Sequence, residues 1–204
     1  MSGARGKYVS ELKRIGVFGG TFDPIHEAHI RVAKAALNQA RLDKVLFVVA
    51  AHPPHKSRGK LHATSEERFA MVQAALADEP AMEPSRVELD RDGPSYTAET
   101  LATLKKDYPD ADLFLILGLD SLVDLPNWHQ PETILAKAHL LVAPRPGTYD
   151  IPQNLENRYT MLDIDPIEMS STEVRTRAAH HEAYEQLLPA PVRQYVKQHG
   201  TYET

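Results

Sequence analysis

The sequence predicts a doubly wound α/β fold, with a mostly parallel sheet covered by helices on both faces. Three observations point to it. Short apolar runs alternate with amphipathic helical segments along the chain. The runs Val45 to Ala51 and Leu113 to Leu117 are apolar at consecutive positions, as strands buried on both faces are. Proline and glycine cluster in the strand-to-helix loops, above all in 52–60 and 144–153.

Each element has its own signal. Ile15 to Phe18 reads as the first strand, broken by Gly19 and Gly20. His29 to Arg41 reads as a helix, because Ile30, Ala33, Ala36, Leu37 and Ala40 recur near helical spacing. Val45 to Ala51 is the second strand. Thr64 to Asp78 is the clearest helix: Thr64 and Glu67 form a capping box, and Phe69, Val72, Ala75 and Leu76 make an apolar stripe. Arg86 to Leu89 is predicted as the third strand, Thr97 to Tyr108 as a helix and Leu113 to Leu117 as a central strand. His139 to Ala143 and Tyr159 to Asp163 are further strands. Ser170 or Ser171 caps a helix running to about His180, and Gly200 closes a last helix over Val192 to His199. The pattern is Rossmann-like, with residues 15–204 as a single domain behind a loose N-terminal extension over 1–14. In such sheets ligands bind outside the carboxyl ends of the strands.

Composition narrows the function. The 204 residues include no cysteine, which removes disulfides, thiolate metal sites and thiol nucleophiles. It also fits a reducing compartment, and the expected location is cytoplasmic. Twenty-three basic against 28 acidic residues give a formal charge of −5, which argues against nucleic acid or an anionic membrane as partner. No apolar run reaches the ~18 residues of a membrane span. Oligomeric state has no signature in the sequence.

The residues that carry chemistry fall in two segments. Gly19-Gly20-Thr21-Phe22-Asp23-Pro24-Ile25-His26-Glu27-Ala28-His29 follows the first strand directly. Its glycines allow a sharp turn and close approach of a ligand, and the helix that follows offers free N–H groups and a partial positive charge to an anion. His26 and His29 are three apart and share one face of that helix start, where each imidazole can donate to a phosphate oxygen. Packing histidines, or a zinc pair, are the competing readings; no third metal ligand stands at a recognised spacing. The second segment is Ser170-Ser171-Thr172-Glu173-Val174-Arg175, whose hydroxyls suit either helix capping or phosphate oxygens. Neither a Walker loop nor a G-x-G-x-x-G fingerprint is present.

Together these segments resemble the signatures of the ATP-dependent nucleotidyltransferase superfamily, His26-Glu27-Ala28-His29 its H-x-G-H and Ser170 to Arg175 its I-S-S-T-x-x-R. Further elements stand in the order seen in the bacterial nicotinate-nucleotide adenylyltransferases. These are Pro53-Pro54-His55-Lys56, Ser95-Tyr96-Thr97 with Thr100-Leu101, Gly118-Leu119-Asp120 followed by Trp128, and Arg145-Pro146-Gly147. Ala28 departs from the usual glycine, Glu99 from a frequent aspartate and Met169 from isoleucine. Ala28 adds a methyl group near the expected phosphates.

The resemblance implies adenylyl transfer from ATP to nicotinic acid mononucleotide, with pyrophosphate released and Mg²⁺ entering as MgATP. No dedicated metal site on the protein is implied. It places the ATP phosphates at His26, His29, Ser170, Ser171, Thr172 and Arg175, with Gly19, Gly20 and Phe22 contributing backbone. Of these, His26, His29 and Arg175 are the catalytic candidates. Gly118 and Asp120 would line the nucleotide cleft, and His55 and Lys56 would hold substrate or pyrophosphate oxygens. Arg145 would take the mononucleotide phosphate. Trp128 would stack on the pyridine ring, beside Tyr96, with Thr97 and the His129 backbone meeting the ring carboxylate. A basic stretch with no acid over 51–63, and a tryptophan outside any periodic apolar segment, agree with this; a solvated loop and a core tryptophan are the alternatives. A phosphopantetheine-type transferase and a non-catalytic nucleotide-binding module are the rival functions.

Overall fold

The computed structural model describes residues 14–54 and 61–202. Of the predicted extension over 1–14, residues 1–13 lie outside them, as do His55 and Lys56, while Arg14 belongs not to an extension but to the first strand. Six strands form the sheet: β1 (Arg14–Gly20), β2 (Lys44–Val49), β3 (Met82–Ser85), β4 (Asp112–Gly118), β5 (Ala138–Ala143) and β6 (Tyr159–Met161). Their order is β3-β2-β1-β4-β5-β6, and every pairing is parallel. The helices are α1 (Glu27–Gln39), α2 (Ser65–Ala75), α3 (Thr97–Asp107), α4 (Leu119–Asp124), α5 (Pro131–Lys137), α6 (Ser171–Ala179) and α7 (Ala190–His199). The doubly wound prediction therefore holds.

Period-2 geometry sends alternate strand residues to opposite faces. Phe47, Phe114 and Ile116 join a core with side chains of α1, α2, α6 and α7. Val17, Leu46, Leu113 and Leu115 join a second core with side chains of α3, α4 and α5. The predicted caps are present. Thr64 accepts from the Glu67 N–H at 3.3 Å while Glu67 accepts from the Thr64 N–H at 2.7 Å. Ser170 caps α6, and Gly200 closes α7 in the left-handed region at φ 60°.

One strand prediction is wrong. β3 spans Met82–Ser85, upstream of the predicted Arg86 to Leu89. As an edge strand paired only with β2, it tolerates Pro84. Val87 and Leu89 use their alternation to pack a turn against the two cores. Tyr159 to Asp163 also shortens to Tyr159–Met161. Helices α4 and α5, of 6 and 7 residues, are too short to display a period and went unread. No helix of the described residues is long and apolar enough to cross a membrane.

Ile116 is 1% exposed at the centre of β4. Ile116→Ala is expected to remove about 2–5 kcal/mol of stability through transfer and cavity terms. Urea unfolding checks this, with a lower midpoint at unchanged slope; a loss below ~1 kcal/mol would contradict two-sided burial of β4.

Candidate functional site

β1 pairs with β2 on one side and β4 on the other, so strand order reverses beside it. A crevice of about 220 Å³ opens there, at the carboxyl ends of β1 and β4. Gly19 and Gly20 line it from β1, Gly118 from the end of β4, Asp120 from the first turn of α4, Thr97 from the first turn of α3, and Arg145 from the loop after β5. His26, Ala28, His29 and Trp128 also line the wall. Two glycines let neighbouring side chains come close. A Cβ on Gly20 would sit 2.9 Å from the Phe22 ring, and one on Gly118 would strike the Asp120 carboxylate.

The two histidines are held against each other. Their rings stack at 3.7 Å between centroids, and the His26 backbone N–H donates to His29 Nδ1 at 3.1 Å. With Nδ1 accepting, a neutral His29 carries its proton on Nε2. His26, the extended N-cap residue of α1, is 2% exposed, and its Nδ1 has no protein partner among the described residues. Burial, reinforced by the nearby Arg145 guanidinium, pushes the His26 pKa down to about 3. Burial, then His26 and Arg145, holds His29 well below its ordinary range. Both imidazoles are therefore neutral donors at pH 7, next to the free N–H groups that open α1.

Two arginines frame the pair. Arg145 donates to the carbonyls of Ile167 at 3.1 Å and Met169 at 3.3 Å, and its Nε lies 3.8 Å from Asp120. This ties the loop after β5 to the approach to α6. Arg175 donates to the Asp23 carbonyl at 2.7 Å and to Thr172 Oγ1 at 3.2 Å. Ser171 Oγ donates to the Pro24 carbonyl at 2.9 Å, and Ser170 Oγ accepts from the Glu173 N–H at 3.2 Å. The hydroxyl segment thus grips the loop before α1, and none of its residues lines the crevice itself. In this state its polar groups serve as cap and clamp.

At the far end of the crevice Trp128 is half-buried, packed on the second core, with Nε1 donating to Asp124 at 3.2 Å. Tyr96 stacks on His129 at 4.1 Å beside a smaller pocket that Thr97 and Trp128 also line. Phe22, at φ 48°, turns its ring into the core against Phe18 and Phe47, so its side chain is no part of the wall. Ala28 is buried and lines the crevice, as its place between the histidines requires.

Sequence reading passed over four residues. Asp23 and Arg68 are fully buried polar groups behind the histidine loop, Tyr202 joins them, and Glu88 lines the crevice while accepting from Thr100 at 2.5 Å. Asp23 stands inside the first motif. Arg68 had a signal too: it shares the buried face of α2 with Met71 and Val72, three and four residues on.

The fold and site define a doubly wound α/β protein with a crevice at its strand-order reversal, lined by the histidine pair, Arg145 and the glycines of two strand ends. A family model described as cytidylyltransferase-like matches residues 17–177. The chain is 36% identical over 195 residues to the nicotinate-nucleotide adenylyltransferase of Bacillus subtilis, covering 95% of this chain and 100% of that one. It is 38% identical over 200 residues to the "Probable nicotinate-nucleotide adenylyltransferase" of Thermomicrobium roseum, covering 95% and 93%. A solved Plasmodium falciparum nicotinic acid mononucleotide adenylyltransferase, complexed with NaAD, shares the fold at TM-score 0.76 and 20% identity, over 94% of this chain and 98% of that one. The chain belongs to the cytidylyltransferase-like family and, within it, to the nicotinate-nucleotide adenylyltransferases.

The histidine burial has a consequence for stability. His26 titrates near 6.5 when unfolded and near 3 when folded. Between those values the unfolded chain binds more protons, so stability falls as pH drops through that window. Moving from pH 7 to 5 is expected to cost about 2 kcal/mol through this group, and His26→Gln to flatten that slope. Denaturant unfolding at both pH values checks it; equal slopes in the two proteins would refute a buried neutral His26.

Proposed function

We propose that the protein transfers the adenylyl group of MgATP to the phosphate of nicotinic acid mononucleotide, giving nicotinic acid adenine dinucleotide and pyrophosphate. A phosphate oxygen of the mononucleotide bonds to the α-phosphorus of ATP, the bond from that phosphorus to the β-phosphate oxygen breaks, and pyrophosphate carries away the negative charge. The nucleophile is already ionised at neutral pH, so no general base is needed. The observation that carries this reading is the convergence of the neutral His26–His29 pair, the α1 N-terminus and Arg145 on one crevice that also contains Trp128. Donors fixed beforehand lower the barrier by meeting charge as it develops, at no cost of reorganisation.

Within this reading His26 and His29 donate to ATP phosphate oxygens. Arg175 adds its remaining N–H groups while still held by the Asp23 carbonyl, and the hydroxyls of Ser170, Ser171 and Thr172 add to that set by releasing their present partners. Gly118 and Asp120 meet the nucleotide. Arg145 takes the mononucleotide phosphate, and Trp128 stacks on the pyridine ring, with Tyr96, Thr97 and His129 around its carboxylate. The N-terminus of α3 at Thr97 favours that negative charge. His55 and Lys56 hold leaving-group or substrate oxygens, and Mg²⁺ travels on the ATP phosphates. Residues 15–204 work as one domain, in the cytoplasm.

Pyrophosphate release from MgATP tests the reaction, with nicotinic acid mononucleotide, nicotinamide mononucleotide and phosphopantetheine offered separately. Turnover with the nicotinic acid form is expected; release with none of the three would overturn the proposal. For His29→Ala, kcat is expected to fall roughly 10²–10³-fold with little change in MgATP affinity, as for loss of one preorganised donor. Steady-state kinetics beside calorimetric binding separates the two, and a wild-type kcat would remove His29 from the chemistry.

A further inference from the structure

Behind the histidine loop lies a buried polar cluster that the proposed reaction does not use. Asp23, 0% exposed, sits three residues before His26. Its carboxylate accepts from the His62 N–H at 3.0 Å, the Ala63 N–H at 3.2 Å and the Tyr202 hydroxyl at 2.8 Å. Its backbone carbonyl accepts from Arg175 at 2.7 Å. Arg68, 1% exposed, donates to the Thr21 carbonyl at 2.6 Å and the Ala63 carbonyl at 3.3 Å, bracketing the same loop.

Tyr202 reaches this cluster by an unusual route. Gly200 ends α7 in the left-handed region, and Tyr202 itself lies at φ 79°, where a bulky side chain is disfavoured. Such a conformation persists only where its surroundings over-determine it. Here the ring is 6% exposed, with its hydroxyl 4.0 Å from Met71 Sδ as well as bonded to Asp23. Burial and the Asp23 carboxylate raise the phenol pKa far above its ordinary range, so the hydroxyl remains a donor.

We propose that Tyr202 is a positioning residue for the nucleotide site: through Asp23 it fixes the loop that presents His26 and that anchors Arg175. Resting on the function proposed above, this links the end of α7 to the phosphate-binding groups through one side chain. The loop has no regular backbone pairing of its own between Gly20 and His26, so side-chain bonds must set its path. Asp23 supplies the acceptors, and the Tyr202 hydroxyl donates to it from the far end of the chain. Removing it frees one carboxylate lone pair and loosens the carbonyl to which Arg175 is bound.

Tyr202→Phe keeps the ring and deletes only the hydroxyl. Met71→Ala is the control, because it loosens the packing under the same ring and leaves the hydroxyl–carboxylate bond in place. Both are assayed well below their melting temperatures, where each is folded. Tyr202→Phe is expected to lower kcat roughly tenfold, the scale of a small misplacement of catalytic groups, and to weaken calorimetric MgATP binding; Met71→Ala should lose melting temperature and keep both near wild type. Equal losses in the two variants, or unchanged kinetics and binding in Tyr202→Phe, would overturn the proposal by making Tyr202 merely structural. The MgATP measurement keeps the test separate from the acceptor assignment: a wild type that binds MgATP but serves no mononucleotide refutes the acceptor, while the binding comparison still decides Tyr202.

Discussion

Winding the sheet in both directions from β1 is the constraint on which the site depends. The chain leaves β1 for α1, which packs on one face, and leaves β4 for α4 and α5, which pack on the other. Two neighbouring strands therefore end side by side with no helix crossing over them. The crevice is what remains. It collects backbone glycines from the strand ends and side chains from three helix starts, which is why residues as distant as Gly19, Gly118 and Arg145 meet.

Placing two imidazoles in that crevice decides their chemistry. In water a histidine is part charged at neutral pH, and two stacked at 3.7 Å would repel when protonated. Burial and Arg145 remove that charge before any ligand arrives. The positive charge of the site then rests with guanidinium groups, which do not lose it. The histidines become directional donors, oriented by a backbone N–H and by each other. Nothing in this arrangement resembles a nucleophile activated by a base. In the proposed reaction, the work left for it is to hold phosphates in line and to meet charge as it moves.

Much of this was legible in the sequence, for physical reasons. Strands buried on both faces announce themselves as continuous apolar runs, and Val45 to Ala51 and Leu113 to Leu117 did. Thr64 with Glu67, and Gly200, marked helix ends through local hydrogen bonding, which needs no tertiary context. The third strand failed because an edge strand need not be apolar, and Met82–Ser85 contains a glutamate, a proline and a serine. Val87 and Leu89 imitated a strand because packing under a turn also uses alternation. The short helices α4 and α5 hold too few residues to show a period. At the site, the histidines and Trp128 are legible because rare residue types stand in ordered motifs, whereas Arg145 follows from the family resemblance alone. The hydroxyl segment suits both capping and phosphate binding, since a capping oxygen and a ligand oxygen look alike in sequence; here Ser170 caps α6 and Ser171 bonds to the Pro24 carbonyl. Arg68 hid inside an apolar stripe, and Tyr202 is joined to Asp23 across 179 positions, a pairing that only folding creates.

In the proposed reaction the histidines act as donors in a single displacement at phosphorus. Adenylyl transfer from ATP made chiral at the α-phosphorus with sulfur tests it directly, by the configuration of the dinucleotide product. One in-line attack by the mononucleotide phosphate predicts inversion. Retention would require two displacements through an adenylylated side chain, and would contradict a purely donor role for His26 and His29.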